Sequence, residues 1–173
     1  MSNENQDLEN HPSAGEYLVF KIGKEFYGIC ISMVQEILGE LEITRVPKCP
    51  QHITGVANLR GKVTPVLDLR LCLGQEPISH AQVCTVVVQL VIKGENTDLC
   101  MVVDELPFVV QFDAENIEES PKLKSSENSF PLRGIGRRDG IIVLIFDPNS
   151  LTELGTLGSM ANSAGDEDEA SAA

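Results

Sequence analysis

The chain contains no tryptophan, and its two tyrosines and six phenylalanines make aromatics only 5% of 173 residues, although 42% of the residues are hydrophobic. The core must therefore be assembled from Val, Ile and Leu, which favours strands over helices. Basic residues are scarce as well: 13 Lys and Arg stand against 26 Asp and Glu, for a formal net charge of -13. A field of that sign repels phosphate backbones, whose capture takes a Lys/Arg-rich face, and this argues against nucleic acid as a partner. No apolar run approaches the roughly 18 residues that suggest a membrane helix, and the opening MSNENQDLENHPSAG has neither a cationic start nor an apolar stretch, so a soluble, cytoplasmic protein is expected. The five cysteines (Cys30, Cys49, Cys72, Cys84 and Cys100) lie far apart, form no CxxC pair and are odd in number, a poor fit to a secreted disulfide framework. Cys72, Cys84 and Cys100 sit inside or beside apolar runs and read as buried free thiols. GxSxG, GxxxxGK[ST] and HExxH are all missing. His11 falls in the polar start, His52 in a Pro-bounded loop and His80 in a second loop, and no catalytic or metal constellation is read from them.

What is present reads mostly as strands. A chain of this length makes one domain of ordinary size, which buries about two-thirds of its unfolded surface and needs neither disulfide nor metal to fold. Leu18, Phe20 and Ile22 alternate with Val19 and Lys21, and GKE turns the chain into FYGICI, a hairpin pattern. Ile31 to Leu38, ISMVQEIL, fits two templates: Ile31, Val34, Ile37 and Leu38 have helical spacing, whereas Val34, Glu36 and Leu38 share a strand face. The residues alone leave both open. Pro47 and Pro50 mark a loop. In GVANLRGKVTPVLDLR, Gly55 to Arg70, the turn Asn58, Leu59, Arg60, Gly61 stands between two apolar runs. Gly61 can take positive φ and Asn58 can bond nearby backbone, so the connection should be tight. Pro65 offers no ladder donor, which puts its strand at an edge or on a bulge. Asp68 and Arg70 should share a face and pair.

Val83 to Ile92 is apolar and β-branched, as in a strand covered on both sides, although periodicity alone leaves a buried helix open. KGENT turns into DLCMVVDEL, Pro107 precedes FVVQF, and residues 113 to 130 read as a long surface loop. Asp139-Gly140 marks a further hairpin turn. DPNSLTELG starts a helix, with Asp147 or Ser150 as cap, Pro148 in the first position, Glu153 completing a capping box and Gly155 as the stop. The expectation is about eight to ten strands and one or two short helices in an all-β barrel or sandwich, because so many strand edges are best removed by closure. Residues 1 to 14 and the acidic, small-residue end cannot offset their ordering entropy and are expected to be disordered.

Few residues suggest chemistry. GIG at Gly134 to Gly136 is a fragment of a dinucleotide fingerprint set in a hairpin, and reads as turn glycines. Asp104 and Glu105 are neighbours, so on a strand they face opposite sides, which suits solvent better than a shared proton. The run Asp166 to Glu169 reads as a solubilising tail. Arg60 at a turn and Glu36 within an apolar run are charges set beside hydrophobic side chains, a usual composition for a protein contact site. The plain alternatives are a solvated turn and a polar face.

EYLVFKIGKEFYGICISMVQEIL, then ITRVP, ITGVANLRGKVTPVLDLR and LRGIGRRDGIIVLIFD fall in the order and spacing of the CheW family, the coupling proteins of bacterial chemotaxis arrays, which the chain resembles over about residues 15 to 156. NLRG followed by PVLDLR is the most specific part. The resemblance implies an all-β fold of two intertwined five-stranded SH3-like β-barrels with one or two short helices, without enzymatic activity or cofactor. It also implies a scaffold that bridges chemoreceptor tips to the regulatory domain of a CheA-type histidine kinase, itself CheW-like. In the family a mostly hydrophobic groove between the barrels receives the receptor tip. The matching receptor-binding positions here are Val34, Glu36 and Arg60, while Asn58, Gly61 and Pro65 look like structural punctuation of the turn. The kinase-facing surface follows no short motif. The implied location is the cytoplasm, at membrane-associated receptor arrays, and the implied layout is an N-terminal segment 1–14, a CheW-like domain 15–156 and an acidic tail 157–173. The residues after about Leu157 exceed the usual family domain, and PKCPQH is a less typical version of the segment before NLRG. Nothing resembles a receiver domain, which argues against a two-domain adaptor of the CheV kind. The alternatives are an adaptor of a non-flagellar pathway such as type IV pilus control, a small barrel binding single-stranded nucleic acid, and a thiol-dependent enzyme. The charge and the shortage of stacking aromatics oppose the second, and a fast, low-pKa cysteine would be needed for the third.

Overall fold

Strands with two buried faces dominate the architecture. The computed structural model describes residues 12–76, 83–105, 107–120 and 130–154. Within them lie eleven strands: β1 (Gly15–Ile22), β2 (Glu25–Cys30), β3 (Val34–Leu38), β4 (Ile53–Leu59), β5 (Lys62–Asp68), β6 (Cys84–Ile92), β7 (Glu95–Val103), β8 (Phe108–Phe112), β9 (Ile117–Glu119), β10 (Leu132–Arg138) and β11 (Ile141–Phe146). One short helix, α1 (Leu69–Cys72), and 3-10 turns at Ile31–Met33, Ala114–Asn116 and Pro148–Leu154 complete the described elements. Among the described residues no helix is long and apolar enough to cross a membrane.

The strands form a six-stranded sheet, β8-β1-β2-β11-β10-β9, and a five-stranded sheet, β3-β6-β7-β5-β4. Both halves of the chain follow one plan. A first hairpin (β1–β2 or β6–β7) is followed by a strand that pairs with the other half's hairpin, β3 with β6 and β8 with β1. A second hairpin (β4–β5 or β10–β11) then aligns its last strand parallel to that same hairpin, β5 with β7 and β11 with β2. Each sheet is thus built from both halves, which is the physical content of intertwined barrels.

Alternation divides the apolar residues among three cores. Tyr17, Val19, Phe112, Val143 and Ile145 fill the first barrel, and Ala57, Val66, Val87 and Cys100 fill the second. The opposite faces of the same strands, including Leu18, Phe20, Ile22, Val86, Val88, Leu99 and Met101, pack into the layer between the barrels. Two buried faces explain why β6 reads as a near-continuous apolar run.

Several sequence expectations need correction. β9 lies in the stretch read as a loop from 113 to 130. β5 is an interior strand between β7 and β4, and the bulge is on β4, where the register slips between Ile53 and Gly55. Pro65 is accommodated because the ladder to β7 begins only at Val66. Arg70 lies on α1 rather than on a strand, so it does not pair with the Asp68 side chain. Asp68 Oδ1 instead accepts from the Arg70 backbone N–H at 2.9 Å, capping α1. Asp104 is buried rather than solvated. It accepts from Arg70 Nε and Nη2 and from the Gly23 N–H, so it ties the β1–β2 turn to α1 of the other sheet. The segment after β11 forms a 3-10 turn instead of an α-helix, although Asp147 Oδ1 does accept from the Asn149 N–H at 2.9 Å. His11, His80, Gly155, residues 1–11 and the acidic tail lie outside the described residues.

Candidate functional site

Ile31 to Leu38 resolves into a 3-10 turn and β3. Val34 opposes Val88 and Glu36 opposes Val87, so two steps on β3 match one on β6 and Gln35 is bulged. Of the two templates the sequence left open, the strand is the one formed, but the bulge keeps only Glu36 and Leu38 on one face and turns Val34 to the other. Val34 packs, half-buried, on the layer between the barrels. Glu36 takes the side of Val87, which faces the second barrel's interior, and Leu38 packs there too. Ile37 opposes Val86 and is 43% exposed, an apolar side chain beside Glu36 that the sequence did not single out.

The β4–β5 hairpin brings Arg60 to this edge. Arg60 and Gly61 both have positive φ, 51° and 83°, the requirement of a type I′ turn. The Gly61 N–H donates to Asn58 Oδ1 at 2.8 Å, closing the turn. Arg60 Nη2 donates to Glu36 Oε2 at 2.8 Å. Lys62 Nζ lies 3.6 Å from Asp98 Oδ2 on β7. Glu36 and Arg60 are therefore in contact, while Val34 stands across the bulge on another face. Lys62 and Asp98 were missed because their proximity depends on a parallel strand pairing that no local pattern announces.

The surroundings of Cys72, Cys84 and Cys100 do not favour thiolate chemistry. All five cysteines are free. Burial pushes the Cys100 thiol up to about 11, with further contributions from the Asp98 and Glu36 charges. Burial also pushes Cys72 up to about 12 and raises Cys84, and a thiol held above neutrality is a poor nucleophile. Among the described residues no three His, Cys, Asp or Glu side chains are grouped to hold a metal. On the first barrel, Phe108, Val109 and Ile142 are exposed apolar side chains, 44%, 54% and 55% respectively. Phe108 and Val109 border a surface cavity edged by Arg138 and Asp139.

Comparison with known proteins places these features in context. The CheW-like domain family model matches residues 16–155. Chemotaxis protein CheW of Klebsiella aerogenes is 33% identical over 136 residues, spanning 79% of this chain and 80% of that protein. Protein PilI of Pseudomonas aeruginosa is 30% identical over 138 residues, 78% of this chain and 73% of PilI. The crystal structure of the scaffolding protein TtCheW from Thermoanaerobacter tengcongensis superposes with a TM-score of 0.70 at 27% identity, covering 80% of this chain and 92% of that one.

Proposed function

The chain belongs to the CheW-like domain family, and from that premise we propose that it couples chemoreceptor tips to the regulatory domain of a CheA-type histidine kinase at cytoplasmic, membrane-associated receptor arrays. It is a scaffold and not an enzyme. The observation that supports the receptor side is the contact of Glu36 with Arg60, two family positions 24 residues apart, next to the half-exposed Ile37. A receptor tip is a helical hairpin. A helix laid on an apolar groove gains affinity from its buried stripe and orientation from charges at the rim. Val34 and Ile37, on the face of β3 opposite to Glu36, supply the apolar part, and Glu36 and Arg60 supply the charges along the strand's edge.

Coupling follows from binding two partners at once. Each partner then meets the other at a raised effective concentration, and a conformational change in one biases the equilibrium of the other. The separate apolar patch at Phe108, Val109 and Ile142 leaves a second face for the second partner. We assign residues 15–156 to the coupling domain and propose that the acidic segment 157–173 tunes association with other charged array components. Unchanged kinase coupling at low salt after deletion of residues 158–173 would remove that role.

Titration calorimetry against the regulatory domain of a CheA-type kinase from the same organism tests the reading. Binding near the micromolar range, about -8 kcal/mol, is expected. No binding to any such kinase the organism encodes would overturn it. The likeness to PilI supports a second reading, an adaptor of a non-flagellar chemosensory pathway such as type IV pilus control. Deletion of the gene separates the two by whether swimming or surface motility is lost.

A further inference from the structure

The tip of the β4–β5 hairpin overhangs its sheet. Hydrogen-bonded register between β5 and β7 starts at Val66 opposite Cys100, and Pro65 just before it has no N–H with which to extend that ladder. From Lys62 to Pro65, β5 is laddered to β4 alone, and β4 is the edge strand of the sheet. Arg60 rides on this two-stranded tip with 81% of its side chain exposed. An isolated two-stranded ribbon is marginally stable, so side chains must fix where Arg60 sits. Leu59 packs into the second barrel, and two ion pairs do the rest.

The register explains how four charges converge. Glu36 opposes Val87, and Asp98 opposes Gln89. Val87 and Gln89 are two apart and share the side that faces the barrel interior. Lys62, Thr64 and Val66 share a face in the same way, and Val66 is part of the barrel core. Glu36, Asp98 and Lys62 therefore ring the same mouth of the second barrel, with Arg60 reaching in from the turn. The set carries two cations and two carboxylates, paired as Arg60 with Glu36 and Lys62 with Asp98.

We infer that Lys62 and Asp98 form a positioning pair that tethers the overhanging hairpin tip to β7 and so sets the placement of Arg60 against Glu36 and the receptor. The inference rests on the reading of Arg60 as a receptor contact. Lys62 and Asp98 act through Arg60. While a partner's charges engage Arg60, the tether to β7 keeps the tip from swinging outward.

The test measures binding of a soluble chemoreceptor tip fragment to Asp98→Asn, to Lys62→Met, and to the reversal Lys62→Asp with Asp98→Lys, with Asp98→Asn also made in an Arg60→Ala background. Each single substitution is expected to weaken binding about twofold to fivefold, as for a half-exposed ion pair. Asp98→Asn should cost nothing further once Arg60 is Ala, and the reversal should restore binding. A purely structural role would also be rescued by the reversal but would not give the non-additivity with Arg60. Wild-type binding by Asp98→Asn, with Arg60→Ala weakened, overturns the positioning inference and leaves the receptor contact standing. A loss in Asp98→Asn that adds in full to that of Arg60→Ala also overturns it. Wild-type binding by folded Arg60→Ala removes the receptor reading, and the inference with it.

Discussion

Arg60 donates to Glu36 across 2.8 Å while its own side chain stays 81% exposed. An ion pair that open to solvent adds only about 0 to 1 kcal/mol to stability, so its value lies in what it presents. Glu36→Lys and Arg60→Ala should each leave the fold intact. Each should weaken receptor contact by about 1 to 3 kcal/mol, the range for losing one partner of a charged hydrogen bond. Circular dichroism melts beside binding isotherms check this, and wild-type receptor affinity in both folded variants would refute it.

The buried pair behaves in the opposite way. Asp104 and Arg70 are largely shielded, with side-chain exposures of 9% and 18%, and Asp104 also holds the Gly23 N–H at 2.6 Å. Removing one partner leaves a buried charge without its counter-charge, so Arg70→Ala should cost about 3 to 5 kcal/mol. Urea unfolding reads this directly, and a loss below that of Arg60→Ala would contradict it.

Two glycines should fail for different reasons. Gly61 has φ 83° with open space where a Cβ would go, so Gly61→Val suffers backbone strain alone, about 1 to 2 kcal/mol. At Gly55 a Cβ would stand 2.1 Å from the Thr44 carbonyl oxygen, and that carbonyl accepts the Val56 N–H that pins the preceding segment to β4. Gly55→Ala should therefore be the more damaging substitution despite its smaller side chain. Melting temperatures in the reverse order would show that Thr44 moves freely.

Burial lowers the His52 pKa below its ordinary 6.5. As pH falls, the unfolded chain takes up this proton first, so the contribution of His52 to stability is full above about pH 6.5 and is lost as pH drops through the folded-state pKa. Asp68 runs in the opposite sense, because burial raises its pKa and its contribution favours low pH. Comparing wild type with His52→Gln cancels Asp68 and every other shared group. The difference in their unfolding free energies should shrink as pH is lowered through that window, and a constant difference would exclude the effect.

Much of this fold could be read from residue order because its turns carry their own chemistry. Asp139-Gly140 and Arg60-Gly61 both fulfil the positive-φ requirement of their hairpins, and two-sided burial accounts for the apolar run of β6. What stayed hidden depends on distance along the chain. The bulge at Gln35, which separates Val34 from Glu36, is defined by a partner strand about 50 residues away. Asp104 looked like a solvent-facing neighbour of Glu105 because Arg70 lies 34 residues earlier on an element whose packing the sequence does not announce. Of the candidate site, the sequence named Glu36 and Arg60 without showing that they touch, and gave no sign of Lys62 and Asp98 beside them.

The exchange of strands between halves bears on how the protein is made. β1 and β2 leave the ribosome first, yet their outer neighbours β8 and β11 emerge only after the whole five-stranded sheet. That sheet in turn takes β3, β4 and β5 from the first half and β6 and β7 from the second. Neither barrel can be completed from one half: the five-stranded sheet is whole once β7 has been translated, whereas the six-stranded sheet must wait for β11. β1 lacks its outer partner until β8 is translated, and β2 remains unpaired on one side until the last hairpin, a period of exposure in which chaperone capture competes with misassembly.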